Sequence, residues 1–120
     1  MNLHGKSLIA GRLSAGTGDT TRAVSPLDGT PLEPPIYLAG AADAEAALEQ
    51  AEAAFVAYRA VTGAGRAAFL EKIADEILAL GDELIARAHR ETGLPEARLT
   101  GERDRTTGQL RMFAGVAREG

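Results

Sequence analysis

The segment 101–109 concentrates polar side chains inside a helical pattern. It holds four charged residues, two threonines and two glycines in the order GERDRTTGQ. One interpretation is a solvated face with local ion pairs, because Glu102 lies three residues before Arg105. The other is a helix passing a polar cavity, where Gly101 and Gly108 allow close approach and an arginine meets an anionic group. The pattern alone leaves both interpretations open.

Other candidate residues favour structural roles. His4 and His89 stand far apart without metal-ligand spacing, so we expect no metal site. The glycine-rich segment 11–18 follows a strand with no helix after it, which favours a hairpin over a phosphate loop. The acidic side chains at 71, 75 and 76 fit a solvated helix face. The sequence contains no cysteine, so this chain offers no cysteine nucleophile. We therefore expect no catalytic residue and no bound cofactor in it.

The first forty residues predict short strands. Ser7 to Leu13 reads as one strand and Thr20 to Ser25 as a second, joined in a hairpin by the turn at 16–19. Pro26 to Gly29 is a turn signal, because proline sets the early φ and glycine takes the positive one. Pro35 to Ala39 is a third extended stretch, kept short by its prolines.

From Ala41 onwards the period becomes helical. The first predicted helix spans 41–59, with Asp43 as a cap or first-turn acid. A second helix begins near Arg66 and is divided at 81–82, where Asp82 caps the second piece. Gly93 is the expected left-handed end, and a last helix spans about 95–118. The fold class is thus an α+β fragment, with a β-hairpin or small sheet over about 5–40 and three to four α-helices over about 41–118.

Composition sets limits on partners. The chain has 120 residues, a formal net charge of −4 and few aromatic side chains (4%). No apolar run could cross a membrane, and the acidic balance argues against nucleic acid, so a cytoplasmic protein is expected. Alanine supplies 24 of the residues. Since each alanine buries little area, the chain is expected to pack against something else or to self-associate through exposed apolar helix faces.

Several strings in order resemble the N-terminal region of the aldehyde dehydrogenase superfamily. The stretches that carry the resemblance are SLIAGR at 7–12, VSPLDG at 24–29, the helix at 41–59, RAAFLEKIADEI at 66–77 and ETGLP at 91–95. Ser25 stands where the family motif most often has asparagine. The segment from Glu96 to Arg111 looks most like the 2,5-dioxovalerate (α-ketoglutarate semialdehyde) dehydrogenase branch, which overlaps with NADP-dependent fatty aldehyde dehydrogenases.

The resemblance implies a part of a longer α/β enzyme that oxidises an aldehyde to an acid with NAD or NADP. Residues 1–40 would form a small sheet and 41–120 a helical part of the coenzyme-binding domain. The catalytic cysteine and glutamate and the cofactor-binding residues would lie beyond residue 120, leaving this chain inactive alone. A homo-oligomer is also expected.

The resemblance further implies that the first half of the last helix lines a substrate tunnel. Arg103 and Arg105 are two residues apart and point about 200° away from each other, so one of them faces the tunnel. We predict Arg105, with Gln109 four residues later on the same face and Thr106 alongside. The alternative reading of the whole chain is a free-standing helical protein-interaction module without catalytic activity.

Overall fold

The computed structural model describes residues 3–120 and contains short strands followed by helices. The strands are β1 (Ser7–Ile9), β2 (Arg12–Ser14), β3 (Thr20–Thr21) and β4 (Ile36–Tyr37), and the helices are α1 (Ala41–Tyr58), α2 (Gly63–Ala79), α3 (Gly81–Thr92) and α4 (Glu96–Glu119). The predicted class, a small strand region and then helices, is confirmed, and the described residues form four helices. The chain divides into two compact units, one ending at Ala60 and the other spanning 61–120.

The predicted strand from Ser7 to Leu13 is wrong, because the chain reverses within it. β1 and β2 pair antiparallel, with Leu8 opposite Leu13. The two turn residues, Ala10 and Gly11, both have positive φ, at 48° and 77°. That backbone is typical of a tight two-residue hairpin turn, which alanine seldom occupies. Because alanine occupies the first turn position, the sequence predicts one continuous strand here.

The segment 16–19 does not close a hairpin as predicted. It leads from the first sheet to β3, which pairs antiparallel with β4 through Thr20–Tyr37 and Thr21–Ile36. Gly16 has φ +56°, and a Cβ there would stand 1.9 Å from the Leu38 carbonyl oxygen. Only glycine fits this close approach.

The turn predicted at Pro26 to Gly29 is confirmed. The Gly29 amide donates to the Ser25 carbonyl at 2.8 Å, and Gly29 has φ +75°. The Ser25 hydroxyl accepts from the Leu27 amide at 3.3 Å, a turn-stabilising bond that asparagine can also make. Leu32, which follows the turn, is almost fully buried.

Local capping explains where the helices begin and end. The Asp43 carboxylate accepts from the Gly40 amide at 2.9 Å, so its predicted place in the first turn of α1 is confirmed. Thr62 Oγ1 accepts from the Gly65 amide at 3.1 Å, so α2 starts at Gly63 and not near Arg66. Asp82 lies in the first turn of α3 but makes no capping bond, contrary to the prediction. Gly93, at φ 70°, ends α3 as predicted.

Within the unit 61–120, α4 packs along α2 through small side chains. Ala67 and Ala74 of α2 and Ala114 of α4 are fully buried. Two exposed ion pairs join the same helices: Arg111 Nη2 lies 2.9 Å from Asp75 Oδ1, and Arg118 Nη2 lies 2.8 Å from Glu71 Oε1. Small residues at this interface let the two backbones approach closely.

In the other unit, α1 contains no buried residue. Ala46, Gln50 and Asp43 line the side of α1 that faces β1 and β2. Leu48 and Phe55 lie on roughly the opposite side and are 72% and 58% exposed. Helix α1 therefore presents an uncovered apolar stripe.

Within residues 3–120, none of the helices combines the length and the apolar content needed to span a membrane.

Candidate functional site

The first half of α4 carries the residues that the sequence singled out. The helix begins after Pro95, which adopts the extended conformation of a residue preceding a helix. The threonine hydroxyls bond back to their own helix, Thr106 Oγ1 to the Glu102 carbonyl at 2.9 Å and Thr107 Oγ1 to the Asp104 carbonyl at 3.1 Å. Since each hydroxyl proton is already donated, neither threonine has a free hydroxyl donor.

Arg105 is exposed and forms no ion pair or hydrogen bond with any residue of 3–120. The local pair considered for it, with Glu102, is not formed. Glu102 Oε1 instead lies 3.9 Å from Arg98 Nε. Gln109, one turn further, is also exposed. The structure therefore places Arg105 and Gln109 together on one open face, directed away from the buried Thr107.

Thr106 lies apart from those two residues. It lines a groove whose polar edge it shares with Glu102 and Arg103, all three from α4. The apolar walls come from the end of α2, from α3 and from the start of α4, and the groove has a volume of about 350 Å³. Of the three predicted residues, only Thr106 reaches this groove.

Arg103 is the polar residue that the sequence reasoning missed. Its side chain is only 17% exposed, and its buried Nε has no hydrogen-bond partner among residues 3–120. The nearest carboxylate oxygen, Asp104 Oδ1, lies 3.5 Å from Nε. A signal was present in the sequence, because Arg103 continues the heptad-spaced stripe of Leu110 and Ala117 that faces inward.

The glycines at 101 and 108 have no packing neighbours. A Cβ built at either position would meet nothing within 4 Å in the described part of the chain. Each glycine costs roughly 1 kcal/mol of helix stability relative to alanine. The cost is therefore not offset by close packing among residues 3–120.

The glycine-rich segment 11–18 does not cradle a phosphate. Its amides are already bonded within the fold: Gly16 N donates to Ser14 Oγ at 3.0 Å, Thr17 N to the Leu38 carbonyl at 3.1 Å and Gly18 N to the Ala15 carbonyl at 3.0 Å. A phosphate site needs several such amides unbonded and aimed at one point. The prediction of a hairpin in place of a phosphate loop holds for residues 11–14, which belong to the β1–β2 hairpin, but not for 16–18.

The histidines make local contacts. His4 Nδ1 accepts from the Lys6 amide at 3.1 Å, and His89 Nδ1 lies 2.7 Å from the Leu94 carbonyl oxygen. His89 must carry its proton on Nδ1 to make that bond. Within residues 3–120, no three histidine or acidic side chains are grouped so that they could hold a metal ion.

A second cavity, of about 430 Å³, lies between the β1–β2 hairpin and α1. Its carboxylate belongs to Asp43, whose pKa is lowered by the hydrogen bond from Ser14 and by that from the Gly40 amide. Ser14 Oγ donates to Asp43 Oδ1 at 2.6 Å. Both carboxylate oxygens are thus engaged in holding the hairpin and the helix start.

Two known proteins with similar sequences are both alpha-ketoglutaric semialdehyde dehydrogenases. The chain is 58% identical over 121 residues to alpha-ketoglutaric semialdehyde dehydrogenase 2 of Azospirillum brasilense, covering 100% of this chain and 23% of that protein. It is 39% identical over 120 residues to an alpha-ketoglutaric semialdehyde dehydrogenase of Acinetobacter baylyi, covering 98% of this chain and 22% of that protein. The chain thus spans about a quarter of the length of these relatives.

The fold comparison agrees. The structure superposes on a NAD-dependent benzaldehyde dehydrogenase from Corynebacterium glutamicum with a TM-score of 0.86 and 22% identity, covering 94% of this chain and 25% of that one. The sequence model of the aldehyde dehydrogenase family matches residues 13–120. The chain therefore belongs to the aldehyde dehydrogenase family.

Proposed function

We propose that this chain is part of a NAD(P)-dependent dehydrogenase that oxidises α-ketoglutarate semialdehyde to the dicarboxylic acid. The support is the match to relatives of that name over the whole chain at up to 58% identity. Such a match leaves little room for the alternative, a free-standing interaction module. The chain has no cysteine, so the thiol that attacks the aldehyde belongs to another part of the enzyme.

The residues of this chain do not fit the dinucleotide cofactor. The amides of Gly16, Thr17 and Gly18 in the glycine-rich segment 11–18 donate to acceptors within the fold. NAD(P) supplies the hydride acceptor in this family and would be held outside this chain. No chemical step is assigned to the residues of 3–120.

The contribution of this chain is recognition of the substrate, through Arg105. The observation that carries this proposal is an exposed guanidinium without a partner among residues 3–120, although Glu102 and Asp104 stand shortly before it in sequence. A guanidinium binds a carboxylate with two parallel hydrogen bonds, and the semialdehyde carries a carboxylate at the end away from the aldehyde. Gln109 on the same face adds an amide donor. Thr106 lies apart from this face, in the groove beside Arg103, and takes no part in the proposed contact.

A chimera tests the proposed function. This chain replaces the 121 aligned residues of the Azospirillum brasilense relative, and the product is assayed with α-ketoglutarate semialdehyde and either nicotinamide cofactor. We expect activity with the semialdehyde to approach that of the unaltered relative. A folded chimera that oxidises pentanal but not the semialdehyde would contradict the proposal. As a control for folding, the same chain replaces the matched part of the Corynebacterium glutamicum benzaldehyde dehydrogenase.

A further inference from the structure

The groove at the junction of α2, α3 and α4 has apolar walls and the size of a small-molecule site. Six of its lining residues are apolar, including Leu80, Leu84 and Leu99. Its volume of about 350 Å³ lies at the lower end of the range of small-molecule sites, which runs from roughly 300 to 1,000 Å³. Such sites combine apolar walls with a few polar groups that fix orientation. Here the polar groups stand at one edge only.

Arg103 is the group at that edge with unused binding capacity. Its Nε is buried and unbonded within residues 3–120, while a buried guanidinium donor without an acceptor is unfavourable. The other polar atoms at the edge are engaged. Thr106 has donated its proton to the Glu102 carbonyl, and the half-exposed Glu102 carboxylate lies toward Arg98. The Asp104 carboxylate forms an ion pair with Nε at 3.5 Å but no hydrogen bond, is 61% exposed and does not line the groove.

We propose that this groove binds a monocarboxylate with a short unbranched alkyl chain, its carboxylate paired with Arg103 and its chain lying on Leu80, Leu84 and Leu99. An uncharged acceptor would satisfy Nε but leave the guanidinium charge unneutralised, and a cation would be repelled by it. A small anion without a chain would gain nothing from the walls. The site is independent of Arg105, which projects from a different side of α4, and the proposal goes beyond the function proposed above.

Titration of the 120-residue chain followed by NMR tests this site. The probes are octanoate, butyrate and octanol, and the signals are the methyl groups of Ile77, Leu84 and Leu99. We expect octanoate to shift these signals saturably and to bind at least tenfold more tightly than octanol. Between butyrate and octanoate, affinity should rise by up to about fourfold for each methylene that is fully buried. Equal affinity for octanol and octanoate, or no saturable shift with octanoate, would overturn the proposal.

Substitutions of Arg103 test whether its guanidinium binds the carboxylate of octanoate. Arg103→Met keeps the aliphatic length and removes the cation, and it should weaken octanoate binding at least tenfold. Arg103→Lys, which keeps a cation but loses the planar fork, should weaken it less and serves if the methionine variant does not fold. Arg105→Met is the matched control and should leave octanoate binding unchanged. Loss of binding in Arg105→Met but not in the Arg103 variants would place the carboxylate on the other face and overturn the assignment.

Discussion

Ser14 and Asp43, 29 residues apart, are joined by a hydrogen bond of 2.6 Å from the serine hydroxyl to the carboxylate. The bond ties the end of strand β2 to the first turn of α1. The same carboxylate accepts from the Gly40 amide through its other oxygen. One acidic side chain thus caps the helix and anchors the hairpin.

This arrangement makes part of the stability dependent on pH. The pKa of Asp43 is lowered from its ordinary value of 3.8, first by the Ser14 hydroxyl and then by the Gly40 amide. Because the folded pKa is depressed, the stabilisation is present above pH 3.8 and is lost as the pH falls through the lowered value. We expect Ser14→Ala to raise the pKa of Asp43 toward 3.8, measured by NMR titration of the carboxyl carbon. An unchanged pKa in this variant would show that Ser14 does not hold the carboxylate.

Gly63 sets how closely α2 approaches α4. A Cβ at this position would stand 2.3 Å from the Ala117 carbonyl oxygen, so Gly63→Ala forces the two helices apart. We expect the free energy of unfolding in urea to fall by about 1–3 kcal/mol, the usual cost of overpacking. Gly108→Ala is the matched control, since nothing lies within 4 Å there, and it should stabilise the chain by about 0.5–1 kcal/mol. Equal effects of the two substitutions would argue against the close approach.

The uncovered stripe of α1 predicts self-association of the isolated chain. Leu48 and Phe55 are mostly exposed on one side of the helix, and apolar patches of this kind drive association. We expect the chain to sediment as concentration-dependent oligomers, and we expect Leu48→Glu together with Phe55→Glu to shift it toward monomer. Ala42→Glu adds a single negative charge away from the stripe and should have little effect. A monodisperse monomer of the unaltered chain with sharp cooperative unfolding would instead favour the free-standing module.

The isolated chain should not bind NADP tightly. The amides of Gly16, Thr17 and Gly18 are bonded within the fold and cannot receive a pyrophosphate. We expect calorimetric titration of the 120-residue chain to show no heat of binding at micromolar NADP. The chimera with the Azospirillum brasilense relative, titrated in parallel, is the positive control. Micromolar binding by the isolated chain would contradict our account of this segment.

Most of the fold was accessible from the sequence because its signals are local. Gly93 after a helical run and the Pro26 to Gly29 turn need only their own neighbours to adopt their conformations, and both are observed as predicted. The hairpin at Ala10 and Gly11 escaped notice because alanine rarely takes a positive φ. The early start of α2 depends on the Thr62 cap, whose signal is weaker than that of the glycines after it.

The candidate site was less accessible, for a physical reason. The rotation of α4 about its own axis decides whether Arg103 or Arg105 faces inward. Several consecutive charged residues interrupt the apolar periodicity from which that rotation could be predicted. Arg103 lies seven residues before Leu110, but this spacing identifies an inward-facing stripe only when the buried positions of Thr107 and Ala114 are known. The same rotation of α4 leaves Arg105 exposed to solvent.

Steady-state kinetics of the chimera with two aldehydes test whether Arg105 binds the substrate carboxylate. In the chimera, Arg105→Leu removes the guanidinium from an exposed position where it supports no other residue of 3–120. We predict that kcat/KM for α-ketoglutarate semialdehyde falls by some thirtyfold, on the order of 2 kcal/mol, while kcat/KM for pentanal stays nearly unchanged. Equal losses on both aldehydes, or no loss on either, would contradict a role for Arg105 in binding the substrate carboxylate.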